Sequence, residues 1–141
     1  MSKVVFDMDT MKIISLFQAI THASVKDCIK DDNELVFIVG PGELGKAIGK
    51  AGANVKRISS ALKRKIKIVE FSDQLFTFIK NIIQPLRVEN IEESEGVVIL
   101  TPPDTTTRGY LIGRGGSALR LLEERVKRHF PIKEIKVTQN G

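Results

Sequence analysis

Two copies of one glycine-rich turn constrain this chain more than any other feature. Gly45-Lys46-Ala47-Ile48-Gly49-Lys50-Ala51-Gly52 returns as Gly109-Tyr110-Leu111-Ile112-Gly113-Arg114-Gly115-Gly116, in constant register (109 − 45 = 116 − 52 = 64). A Gly-x-x-Gly turn lets a foreign backbone come close, because no Cβ stands in the way. One copy would be a weak signal, since the pattern is common in ordinary turns. Two copies in matching surroundings imply a duplicated unit, and basic or small central residues suit a sugar-phosphate partner.

The surroundings do match. Ile13, Ile14, Phe17 and Ile20 recur at helical spacing after a cap at Asp9 or Thr10, and Leu75, Phe76, Ile79 and Ile82 repeat them 62 positions on, after Ser72 or Asp73. Pro85 ends that second helix. Two extended runs follow each helix: 25–29 and 35–39 around Asp31-Asp32-Asn33, then 86–91 and 97–100 around Glu92-Glu93-Ser94-Glu95-Gly96. A short helical turn enters each glycine loop. A longer helix leaves it, with Val55, Ile58 and Leu62 matched by Leu119, Leu122 and Val126 on one face. β-Branched runs at 66–69 and 132–137 close the two units. The order helix-strand-strand-helix-helix-strand therefore occurs twice, which predicts an α+β chain with one domain over 1–71 and a second over 72–141. Only Phe71 and Ser72 join the units, so a limited relative angle is expected, with both loops along one surface.

Charge is concentrated rather than spread. The chain carries a formal +5, and between Lys46 and Lys67 stand eight basic residues (Lys46, Lys50, Lys56, Arg57, Lys63, Arg64, Lys65, Lys67) with no Asp or Glu. This stretch holds the first loop and suits a polyanion. In the second unit Arg108, Arg114, Arg120, Arg125, Lys127 and Arg128 are offset by Glu123 and Glu124, so a weaker electrostatic pull is expected there. Lys63, Arg64, Lys65 and Lys67 also fit a solvated helix end and edge strand.

Other functions find little support. Gly40-Pro41-Gly42-Glu43-Leu44-Gly45 has the spacing of a dinucleotide-binding fingerprint, but a second glycine turn follows where an unbroken helix is required. Gly40 to Lys46 has P-loop spacing, yet Ala47 stands where Ser or Thr would hold magnesium. His22 and His129 lack a nucleophile or metal-ligand partner and read as helix-end residues, and acidic residues fall mostly in turns. No enzymatic activity and no cofactor or metal is expected. A single cysteine, Cys28, excludes an internal disulfide and reads as core. Without a signal peptide or a long apolar run, a cytoplasmic location and no membrane partner are expected.

The element order, with Ile-Gly-x-x-Gly between two helices, resembles the KH domain in its type II arrangement, over nearly the whole chain. The tandem pair and the run Val39-Gly40-Pro41-Gly42-Glu43-Leu44-Gly45-Lys46-Ala47-Ile48-Gly49-Lys50 are similar to the KH pair of the NusA-like transcription termination/antitermination factors, in their short archaeal form. The resemblance implies two three-stranded mixed sheets, each with helices on one face. It also implies single-stranded RNA held by its backbone, with bases in an adjoining apolar groove. Carried over by position, the clamps are Gly49-Lys50-Ala51-Gly52 and Gly113-Arg114-Gly115-Gly116, with Ile48 and Ile112 as groove floor or simply core. Amides of residues 51–53 and 115–118 would donate to phosphate at the start of the following helix. Lys46, Lys56, Arg57, Lys63, Arg64, Lys65, Lys67 and Arg120 would supply charge. The first clamp is expected to be the stronger.

Bacterial NusA carries a polymerase-binding domain and an OB-type barrel ahead of this pair, whereas here the first helix begins within about ten residues of Met1. Polymerase contact through that domain is therefore not expected. The implied protein is a monomeric regulator of transcription termination or antitermination, with RNA polymerase or ribosome-related complexes as further partners. A ribosome-associated or ribosome-assembly factor, and a protein-protein adaptor with degenerate loops, are the alternatives.

Overall fold

The computed structural model describes residues 7–32 and 34–139. The described residues divide into one compact unit ending at Asp73 and another beginning at Gln74. The first unit runs α1 (Met8–Thr21), β1 (Val25–Lys30), β2 (Glu34–Val39), α2 (Leu44–Ile48), α3 (Ala53–Leu62) and β3 (Lys65–Glu70). The second runs α4 (Leu75–Ile83), β4 (Asn90–Ser94), β5 (Val97–Thr101), α5 (Thr105–Ile112), α6 (Ser117–Lys127) and β6 (Glu134–Val137). Each sheet has its second strand in the centre, antiparallel to the first and parallel to the third. This is the expected α+β plan, twice.

In the first unit β2 supplies the core. Leu35, Phe37 and Val39 alternate onto one face, where they pack with Phe17, Ala47 and Ile58 from the three helices. Phe17 and Phe37 stack with centroids 4.1 Å apart. Val36 and Ile38, on the opposite face, are also fully buried. The helix entry differs from the expected cap: Asp7 caps α1, its carboxylate accepting the Thr10 N–H at 2.7 Å, so the helix starts ahead of Asp9. That hydrogen bond holds the Asp7 carboxyl below its ordinary pKa. His22 ends the helix in the left-handed region. Of the expected β1–β2 turn, Asn33 lies outside the described residues.

The second unit shows cleaner alternation. Ile91, Val98, Leu100 and Ile135 are buried while their strand neighbours are not. The buried face of α4 is Phe78, Ile79, Ile82 and Ile83, and the expected core residue Phe76 lies partly exposed. The expected strand at 86–91 forms instead at Asn90–Ser94. Leu86 N–H turns back to the Ile83 carbonyl at 2.9 Å, which keeps 86–88 out of the sheet. Glu92 and Glu93, expected in the turn, belong to this edge strand, where outward charge deters pairing with other chains. The turn narrows to Glu95 and Gly96, with φ of 52° and 86°, the paired positive values of a two-residue hairpin turn.

Candidate nucleic-acid interface

The two glycine loops follow the same path. Gly49 has φ/ψ of 79°/168° and Gly113 73°/175°; Ala51 has 54°/29° and Gly115 62°/20°; Gly52 has 74°/17° and Gly116 81°/10°. Each loop opens where a short helix stops: Gly49 N–H bonds the Gly45 carbonyl at 2.9 Å, and Gly113 N–H bonds that of Gly109 at 2.8 Å. One tight turn follows, and α3 or α6 begins at once. The two signature glycines are needed for different reasons. A Cβ on Gly113 would stand 2.7 Å from both the Cβ and the backbone nitrogen of Ala118, and one on Gly49 2.8 Å from the Asn54 side chain. Gly52 needs only its left-handed backbone, since a Cβ there meets nothing within 4 Å.

Not every amide expected to face phosphate is free to do so. Gly52 N–H bonds the Gly49 carbonyl at 3.1 Å and Ala53 N–H that of Lys50; Gly116 and Ser117 repeat this in the second loop. The tight turn that shapes each loop uses these donors itself. The rest of the loop stands outward: Lys50, Ala51, Arg114 and Gly115 are all exposed.

Different side chains brace the two turns. In the first, Asn54 Nδ2 donates to the Lys46 carbonyl at 3.0 Å, tying the start of α3 to α2. In the second, Arg120 Nη1 donates to the Gly115 carbonyl at 2.8 Å. The approach to the first loop is lashed down as well. Glu43 accepts hydrogen bonds from the Ser24 hydroxyl and amide, which hold its carboxyl below the ordinary range, and Lys46 Nζ lies 3.5 Å away. Asp104 caps α5 through the Thr107 N–H at 2.7 Å, with its own carboxyl held low by that bond.

This geometry has known counterparts. Residues 12–87 match the KH domain family model, more than half of the chain. The "Probable transcription termination protein NusA" of Methanocaldococcus jannaschii is 32% identical over 97% of this chain and 76% of its own length. That of Methanococcus vannielii is 36% identical, over 92% and 76%. The chain belongs to the KH-domain family, among the NusA-like proteins. The crystal structure of APE1850 superposes with a TM-score of 0.75 and 29% identity, covering 94% of this chain and all of that one.

Seen on the KH fold, the basic run of the first unit splits. Lys46, Lys50, Lys56 and Arg57 are exposed on α2, the loop and the first turns of α3. Lys63, Arg64, Lys65 and Lys67 lie beyond the other end of that ten-residue helix, about 15 Å along its axis. Arg64 reaches the opposite way, donating through Nη2 to the carbonyls of Asp31 and Glu34 at the β1–β2 turn. Lys65 and Lys67 alternate with Ile66 and Ile68, which pack on the core, so both lysines face away from the helices. In the second unit Arg125 is buried, and Lys127 pairs with Glu123 at 3.3 Å. Arg114 stays exposed beside its loop.

Ile48 and Ile112 are half-buried, because the residues just before them, Ala47 and Leu111, take the core positions. The apolar positions at the loop mouth therefore keep an open side. Gly45 and Gly109 were visible as part of the repeat, and here a Cβ on either meets nothing within 4 Å. A helix interior normally penalises glycine by about 1 kcal/mol relative to alanine. Among the described residues no contact requires glycine at either position, and the surface beside each loop is clear. Asn54 and Arg120 as braces depend on side-chain direction and carry no sequence signal.

Proposed function

We propose that the protein binds single-stranded RNA through both Gly-x-x-Gly loops and acts as a NusA-like regulator of transcription termination or antitermination. One observation carries this reading: two loops of the same left-handed geometry, each pushing a cation, Lys50 or Arg114, into solvent beside a helix start. RNA phosphates lie against the loop, with the helix dipole and the cation favouring the anion. Bases turn toward the cleared faces at Gly45 and Gly109 and the half-buried Ile48 and Ile112. The transcriptional role is taken from the NusA-named relatives, because the fold alone serves many functions. The reading assigns residues 1–71 and 72–141 to the two KH domains of a cytoplasmic monomer.

The test replaces Lys50 and Ala51 by Asp, and separately Arg114 and Gly115, and measures affinity for a short single-stranded RNA alongside circular dichroism. With folding unchanged, the first pair is expected to weaken binding at least tenfold and the second pair less. Undiminished affinity in both variants would refute the clamp.

A further inference from the structure

Beside the second loop, α5 carries a largely exposed tyrosine. Tyr110 is 67% exposed, although Leu111 next to it is buried and supplies the core contact of this helix. An aromatic ring in water keeps its apolar face available to a partner that can stack on it. Around it lies a shallow open groove of about 420 Å³, lined by Thr105, Thr106, Gly109, Tyr110, Gly113 and Arg114. The lining is suited to one kind of guest. Gly109 leaves the surface beside the ring clear, since a Cβ there would meet nothing within 4 Å. The threonine hydroxyls can both donate and accept hydrogen bonds. Arg114 places a guanidinium one residue past Gly113, where it can hold a phosphate.

The matching position in the first unit makes the contrast. Lys46 stands there, its ammonium 3.5 Å from Glu43 and 3.4 Å from the His22 carbonyl. The first unit thus offers at this place a lysine already partnered, and the second a free ring.

We propose that Tyr110 is a stacking platform for one nucleobase of RNA whose backbone is held at the second Gly-x-x-Gly loop. This rests on the RNA-binding reading above and adds to it a base contact that is tolerant of sequence, since every base has a π-face. The second unit then compensates for its lower charge by stacking, and its binding is less sensitive to salt than that of the first.

The chain has one tyrosine and no tryptophan, so its intrinsic fluorescence reports on Tyr110 alone. The full chain is titrated with a short single-stranded RNA of random sequence, and with an abasic ribose-phosphate strand of equal length. Affinity is measured separately with end-labelled strands. RNA is expected to quench the tyrosine, and the abasic strand to bind without quenching. In the Lys50→Asp/Ala51→Asp background, where the second loop dominates, Tyr110→Ala is expected to lower RNA affinity about tenfold, as stacking losses do, and Tyr110→Phe to preserve it. RNA that binds the Lys50→Asp/Ala51→Asp variant while the tyrosine stays bright would overturn the stacking proposal alone. Failure of the wild-type chain to bind RNA would overturn the RNA reading and this inference together.

Discussion

The two glycine loops agree in backbone and differ in almost everything attached to it. Their φ/ψ values run in parallel residue by residue, yet the first is braced by Asn54 and ringed by Lys46, Lys50, Lys56 and Arg57, while the second is braced by Arg120 and flanked by Tyr110. The comparison separates two roles within one motif. Glycine at the first and last positions dictates the path, through a close approach to the next helix and a left-handed backbone. Neighbouring side chains decide what that path can hold. A duplicated turn therefore keeps its shape while its ligand chemistry diverges.

The largest expected effect probes the shared path. Gly113→Ala places a methyl against the Ala118 backbone and Cβ at a positive φ, and should lower stability by about 3 kcal/mol. Gly49→Ala meets the Asn54 side chain at 2.8 Å, which can move only by releasing the Lys46 carbonyl, and the Asn54 backbone nitrogen at the slightly looser 3.0 Å, and should lower stability by about 2 kcal/mol. Chemical denaturation of both variants checks the order. Equal losses would mean that the loops are not constrained differently by the helix that follows.

A smaller effect probes the braces. Lys56 and Arg120 occupy the same register, but only Arg120 is shown bonded to its own loop. Lys56→Ala should flatten the dependence of log affinity on log salt by about 0.7, the share of one phosphate contact on a single strand. Arg120→Ala should weaken binding about threefold through a looser loop, roughly one hydrogen bond, and leave the slope nearly unchanged. Matching slopes for the two variants would show that Arg120 acts as a phosphate ligand after all.

Much of this was legible beforehand, for physical reasons. Glycine pairs, helical periodicity and constant register expose a duplication, because backbone constraints are written locally. The β4 register was hidden since Glu92 and Glu93, charged residues on an edge strand, look like a turn. Phe76 and Phe78 both fit a helical apolar pattern, and packing against the neighbouring element selected Phe78. Arg64 looked like part of an RNA-facing run, yet its side chain meets the carbonyls of Asp31 and Glu34, some thirty residues earlier in the chain. Tyr110 was readable from register alone, standing where Lys46 stands in the first copy.

The most direct test is an NMR titration of the full chain with a short single-stranded RNA, following backbone amides at low and at raised salt. The expected result is that amides of 49–52 and 113–116 shift first and most, with the first loop releasing more steeply as salt rises. RNA that binds with both loops silent would contradict the two-clamp account.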